Sequence, residues 1–240
     1  MFNNNPNIPF ALGDRPWAAT FFVLVAPFLF PLILVEIALP FLSETARQDR
    51  TNLFILLCVS GINLFAVSSF WAERIGAGAF AGPLRAAQNW YVAAAFLGPF
   101  LLFSSGLIMA ALSGFEEGWQ FRDADYAATL DLSVIPLSFV VYAILVAPFV
   151  GEILYRGIGI GVLMARGAGP LVAIGLTSLA FTLLHVQYSP AGMAAVFLAS
   201  VGFGWLRIAS GSVGVAIIAH VCANAFQIFL QFLVTQAPAT

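Results

Sequence analysis

Three pairs of residues in the second half of the chain could do chemistry. Glu152 and Arg156 stand four residues apart, as do Phe181 and His185, and His220 and Asn224. On a helix, that spacing puts both members of each pair on one face. Glu152 and Arg156 are an acid and a base within reach of a salt bridge, which stays charged in a low dielectric only if it is well hydrogen-bonded. His220 and Asn224 offer an imidazole and an amide whose N–H groups can converge on an oxyanion. An imidazole beside a carboxylate can hold and activate a water. His185 and His220 are the only two histidines, and both lie in apolar runs. An ionisable group at the bilayer centre costs about 2.5–3.5 kcal/mol on insertion scales, so such residues turn towards a partner, a cavity or a site. The blander readings are a structural ion pair at Glu152–Arg156 and satisfied core histidines at the other two positions.

The elements that must position these pairs are membrane helices. The chain is 61% hydrophobic and 8% charged, where soluble domains are about a quarter charged. Seven apolar segments run about Trp17–Leu39, Asn52–Trp71, Trp90–Leu112, Val134–Arg156, Gly169–Gln187, Ala191–Ile208 and Val213–Val234. Each is helical by length, and only helices satisfy their own backbone in lipid at this composition. The expected fold is all-α: one polytopic transmembrane helix bundle of about seven spans. The fourth segment can continue through Ile158–Ala165, which allows an eighth short or re-entrant element. Within this single membrane domain, residues 1–16 form a polar N-terminal segment and 17–132 hold the first spans and an acidic loop. Residues 133–234 carry all three pairs.

The punctuation agrees. Trp17, Trp71, Trp90 and Tyr91 sit at segment ends, as interfacial aromatics do. Pro27, Pro31, Pro99 and Pro148 lie inside spans and should kink them, while Pro136 is close enough to a span start to be tolerated. The runs Gly157–Gly161 and Gly202-Phe203-Gly204 permit close helix approach. Cys58 and Cys222 fall within spans and read as small buried apolar residues rather than a disulfide. A formal charge of −2 carries no nucleic-acid signal. The polar residues 1–15 and the long run from Trp17 to Leu42 do not read as a cleaved signal, so the first span is expected to remain. With seven spans, Arg15, Arg74, Arg85, Arg156, Arg166 and Arg207 fall on one side, and Arg47, Arg50 and Arg122 on the other. This predicts a cytoplasmic N-terminus.

The pairs should meet in depth. A turn is expected near Gly167-Ala168-Gly169-Pro170, and Gly151 and His185 are each 17 residues from Ala168. Two helical arms would place both roughly 25 Å from the turn, at matching depth across an antiparallel hairpin.

At this point the chain resembles the CAAX-protease and bacteriocin-processing (CPBP) membrane proteins, which include the Ras-converting prenyl endopeptidases. That family carries Glu-Glu-x-x-x-Arg, Phe-x-x-x-His and His-x-x-x-Asn/Asp. Here the second motif is Phe181-Thr182-Leu183-Leu184-His185 and the third is His220-Val221-Cys222-Ala223-Asn224. The first reads Gly151-Glu152-Ile153-Leu154-Tyr155-Arg156, with Ala147-Pro148 before it and Gly157 after it. Gly202-Phe203-Gly204-Trp205-Leu206 also fits. The resemblance covers about Pro148 to Asn224. It implies an intramembrane endopeptidase acting on membrane-associated peptides or proteins, of a bacterial inner-membrane type.

By the same resemblance, His185 would bind the water, His220 and Asn224 would stabilise the oxyanion, and Glu152–Arg156 would be the supporting pair, with Phe181 also in a supporting role. The activating glutamate of the family is Gly151 here, so Glu152 is also a candidate acid, with Glu36 as a more distant substitute. Glu116-Glu117 has Phe121, not Arg, at the matching spacing. A metal-free site is expected, with zinc on the two histidines and Glu152 as the alternative. Three readings remain: a working protease, a family member that binds membrane peptides without cleaving them (an immunity or scaffold protein), and a transport-type protein.

Overall fold

A computed structural model describes residues 83–112, 137–185 and 188–236, with Ile37 and Phe41 as isolated positions. The first two predicted spans, the acidic loop, Glu36, Glu116-Glu117 and Cys58 lie outside these residues. Every element within them is helical. Helix α1 spans Gln88–Leu112, α2 is a continuous helical run over 137–165, and α3 spans Pro170–Thr182 and tightens into a 3-10 turn at Leu183–His185. Helix α4 spans Pro190–Ser210 and α5 Val213–Gln236. Four runs are long and apolar enough to cross a membrane: Gln88–Leu112, Tyr142–Ala165, Pro190–Ser210 and Val213–Leu230. The described part is therefore an all-helical membrane bundle.

Residues Ile158–Ala165 continue α2, as the expected extension of the fourth segment requires. The described helical part of the fifth segment is Pro170–His185, against the roughly 20 residues of a typical crossing, and Val186 and Gln187 lie outside the described residues. His185 sits, half-buried, in the 3-10 turn Leu183–His185 that follows the α-helical part of α3.

Helix α2 departs from α geometry twice. It is wound as a π-helix at Tyr142–Val146 and again at Ile153–Gly159, with α-helical turns at Ala147–Glu152 between them. Pro148 explains part of the first departure. It has no N–H to donate, and in the five-residue register set by Ala147 N–H to Tyr142 O its partner would be the Ala143 carbonyl. The second π-turn carries Tyr155 and Arg156, and single π-turns of this kind cluster at functional sites.

The turns follow the expected chemistry. Gly167 has φ +91° and closes α2, and Pro170 opens α3. Gly211 has φ +71° and closes α4, and only glycine takes such angles without steric cost. Ser189 caps α4 by accepting from Gly192 N–H at 3.1 Å. The segment before α1 is pinned to the start of α5: the Pro83 carbonyl accepts from Val213 N–H at 3.1 Å and from Ser212 Oγ at 3.0 Å. Tyr91 ties the same segment to α1, accepting from Ala86 N–H and donating to the Leu84 carbonyl.

Helix α1 packs on α5 and α4, α3 packs on α4, and α2 lies against α3 and α5. Small residues set these distances, as membrane packing requires. Gly202 receives Leu101 of α1 and Gly204 receives Ile174 of α3, which leaves Phe203 between them to point inward. Hydroxyls that would be orphaned in lipid bond back to carbonyls one turn earlier: Ser105 to Leu101, Thr177 to Ala173, Thr182 to Ser178 and Ser210 to Leu206.

At Gly98 a Cβ would lie 1.9 Å from the Ala219 carbonyl oxygen, so α1 and α5 touch backbone to backbone. Gly175 has nothing within 4 Å of its Cβ position. Gly98→Ala should therefore lower thermal stability in detergent by about 3 kcal/mol or more through overpacking. Gly175→Ala should be neutral or stabilise by up to ~1 kcal/mol through helix propensity. Paired thermal melts test both, and equal melting temperatures for the two variants would contradict the close approach.

Candidate active site in the membrane core

The centre of the site is a buried ion pair on α2. Glu152 and Arg156 are both 0% exposed, and Arg156 Nη1 donates to Glu152 Oε1 at 3.1 Å. Arg156 Nη2 donates to the Ser200 carbonyl at 2.8 Å and to Ser200 Oγ on α4. The guanidinium also lies over two aromatic faces, 4.7 Å from the Phe181 ring centre and 5.9 Å from that of Phe203. Desolvated cation–π contacts of this kind contribute about 2 kcal/mol each. Arg156 is therefore held by an anion, two oxygens of α4 and two rings. Being enclosed, it belongs to the core and carries no weight in the orientation count. Arg85, Arg166 and Arg207, which precede α1, follow α2 and end α4, still lie at one end of the bundle.

The same carboxylate oxygen accepts from a second group. His220 Nδ1 of α5 lies 2.8 Å from Glu152 Oε1. The His220 ring stacks on Phe203 at 5.1 Å and meets Phe181 edge-on at 5.6 Å. Its side chain keeps 9% exposure where Glu152 keeps none. Three buried polar atoms here have no hydrogen-bond partner among the described residues: Glu152 Oε2, Tyr155 OH and Arg156 Nε.

Phe181 joins the second motif to this centre. Its ring contacts those of Tyr155 at 5.6 Å, His185 at 4.7 Å and His220 at 5.6 Å. Its carbonyl lies 3.0 Å from His185 Nδ1. A carbonyl only accepts, so Nδ1 carries the proton and His185 Nε2 is left as an acceptor. Gly151 faces Phe181, and a Cβ there would sit 3.2 Å from Phe181 Cε2. Helices α2 and α3 thus meet at matching depth, but Gly151 abuts Phe181 and not His185.

Asn224 makes a different contact. Its Nδ2 donates to the Ala143 carbonyl at 2.7 Å, the acceptor that Pro148 cannot serve. One amide hydrogen of Asn224 satisfies the first π-turn of α2, and the other remains for a further acceptor.

The structure therefore brings Gly151, Glu152, Arg156, Phe181, His185 and His220 around one point, with Asn224 one turn further along α5 from His220. Sequence reasoning missed Ser200, which carries no signal beyond being a hydroxyl on a small-residue helix. It also treated Phe203 as packing. The glycines flanking Phe203 were the available clue, since they bring neighbours in on either side of an inward ring. Among the described residues no three His, Cys, Asp or Glu side chains are grouped to hold a metal. Glu152 Oε1, shared by Arg156 and His220, is already committed.

An all-helical membrane bundle with a buried acid–imidazole centre is the class these features define. Residues 133–226 match the family model described as Type II CAAX prenyl endopeptidase Rce1-like. That match covers 94 of the chain's 240 residues and spans all three motifs. No curated protein and no solved structure matches the chain.

The contact between Asn224 and Ala143 generates a double-mutant test. Asn224→Ala should destabilise the protein by about 1–3 kcal/mol, the cost of orphaning a buried carbonyl. In a Pro148→Ala background an N–H is restored to α2, and the same change should cost less than half as much. Thermal melts of the four forms measure the coupling, and full additivity would show that Pro148 and Asn224 act independently.

Proposed function

We propose that this protein is an intramembrane endopeptidase of the CAAX type, hydrolysing peptide bonds of membrane-associated substrates at a reduced rate. The observation that carries this reading is the continuous chain Ser200–Arg156–Glu152–His220, which fixes an imidazole at mid-bundle beside a second imidazole on His185. His220 lies 7 residues into α5 and Ser200 10 residues into α4, roughly 10–15 Å from the helix ends at 1.5 Å per residue. A peptide bond cleaved there must lie within or just below the hydrocarbon boundary. In this reading His185 Nε2 holds the water, and the free amide hydrogen of Asn224 faces the carbonyl oxygen. The Glu152–Arg156 pair supports His220. A cytoplasmic N-terminus belongs to the same proposal, for which the supporting observation is Arg85, Arg166 and Arg207 at one end of the bundle; placement in a bacterial inner membrane rests on the resemblance alone. The chemistry uses side chains alone.

One observation favours a second reading. Gly151 puts no carboxylate where the family places its activating glutamate, and Glu152 is too enclosed to reach a substrate directly. A family member that binds membrane peptides without cleaving them would have this arrangement.

Turnover separates the two readings. Gly151→Glu should raise kcat on a quenched fluorescent peptide carrying a farnesylated cysteine by about 10²–10⁴-fold, the usual contribution of a positioned general base. Gly151→Ala is the steric control, since it meets Phe181 at the same 3.2 Å without adding a carboxylate. It should not raise the rate. Binding of the peptide with no cleavage by any form would favour the second reading.

A further inference from the structure

We propose that the proton acceptor of this site is Nε2 of His220, with Glu152 as the residue that sets its tautomer; this rests on the endopeptidase reading above. The observation is a difference in access along one hydrogen-bonded chain. Arg156 and Glu152 are 0% exposed, and the His220 side chain is 9% exposed. The buried carboxylate therefore cannot touch a water or a substrate itself, and its charge reaches the outside of the cluster only through the ring bonded to it.

The geometry fixes which nitrogen does the work. Glu152 Oε1 also accepts from Arg156 Nη1, as an ionised carboxylate does. His220 Nδ1, at 2.8 Å from the same oxygen, must then be the protonated nitrogen. Arg156 already balances the charge of Glu152, so a neutral His220 leaves the buried trio with no net charge. In that state Nε2 has a lone pair and no hydrogen. It is an acceptor, the opposite of what an oxyanion donor needs. Phe203 stacked on one face and Phe181 set edge-on hold the ring plane, so the lone pair has a fixed direction.

The reaction is hydrolysis with all atoms accounted for. Nε2 takes one proton from a water as its oxygen bonds to the scissile carbonyl carbon, and the carbonyl π pair moves onto oxygen. Glu152 stabilises the imidazolium that forms. The C–N bond then breaks, the leaving nitrogen takes the proton from Nε2, and the carbonyl re-forms as an acid. His220 returns to its starting state. Nothing beyond water and the peptide is consumed. Gly151 thus removes one base without removing all of them.

The experiment is an epistasis measurement on the full-length protein in detergent, using the farnesylated quenched peptide. His220→Gln keeps a donor amide but no base. In the native background it should lower kcat by about 10²-fold or more. In a Gly151→Glu background, where a carboxylate base has been supplied, it should cost about tenfold or less. Equal costs in both backgrounds would show that His220 is only a donor and overturn the proposal. Cleavage by Gly151→Glu with none by the native chain would overturn both the proposal and the endopeptidase reading of this chain, whereas equal costs overturn the proposal and leave that reading standing. No cleavage by either would overturn both. A second readout needs no substrate. With ¹⁵N-histidine labelling the chain gives signals from two residues, assigned by His185→Gln. His220 should show a protonated Nδ1 and a bare Nε2 at neutral pH, and a protonated Nε2 would overturn the proposal whatever the peptide assay gives.

Discussion

Everything in the described bundle depends on keeping Arg156 and Glu152 charged where there is no water. Each ion gives up several kcal/mol of hydration on burial even after relaxation, and removing one partner from such a pair typically costs about 3–5 kcal/mol. The Coulomb attraction within one helix is not sufficient compensation, so other elements are recruited. Helix α4 supplies the Ser200 carbonyl and hydroxyl, α3 and α4 supply the Phe181 and Phe203 faces, and α5 supplies the His220 N–H. Four of the five described helices converge on one pair of charges. The glycines that let them do so, Gly202 and Gly204, are part of the same solution because they bring α4 against α1 and α3 while leaving Phe203 free to face inward.

The irregular winding of α2 belongs to this constraint. A proline two residues into the α-helical turns that carry Gly151 and Glu152 leaves a carbonyl without its donor, and in hydrocarbon an unsatisfied carbonyl costs several kcal/mol. Asn224 removes that cost with one amide hydrogen at 2.7 Å. The consequence is positional. Asn224 and His220 lie on one face of α5, one gripping α2 before Pro148 and the other gripping Glu152 just after it. The stretch Ala143–Glu152 is thereby clamped at both ends by one rigid element, which fixes where Gly151 meets Phe181. Positioning by helices, with side chains locked by a surrounding layer of contacts, is what holds a reactive geometry to within fractions of an ångström.

Much of this was legible in the sequence, for physical reasons. The i, i+4 spacing of Glu152 and Arg156 allows little else in a low dielectric, and the pair is there at 3.1 Å. The turn at Gly167–Pro170 follows from a residue that tolerates positive φ and one that favours a helix start, and it is found where expected. Spans at Gln88–Leu112, Pro190–Ser210 and Val213–Leu230 follow from unbroken apolar length. What sequence could not give were facts that depend on register between helices. Nothing in the spacing of His220 and Asn224 says that the first reaches a carboxylate on α2 and the second a backbone carbonyl. Hydropathy also does not show that the helix tightens into a 3-10 turn after Thr182, because apolar residues continue through the turn. Periodicity reports which residues share a face. It does not report which partner that face meets.

Gly151 shows how far the arrangement can absorb a loss. Its neighbour Glu152 points about 100° away around the helix, into Arg156 and His220, so the missing side chain disturbs neither contact. The position itself is walled by the Phe181 edge at 3.2 Å, and that ring is held by Tyr155, His185 and His220. The ion pair and the clamp from α5 therefore make no contact through residue 151, and a side chain there would press only on the Phe181 ring. A scaffold in which the charge network and the reactive position are on adjacent faces of one helix can keep its fold while its chemistry changes. In the endopeptidase proposed above, the reaction rate would depend on the one group of the network that still reaches the outside, the His220 ring.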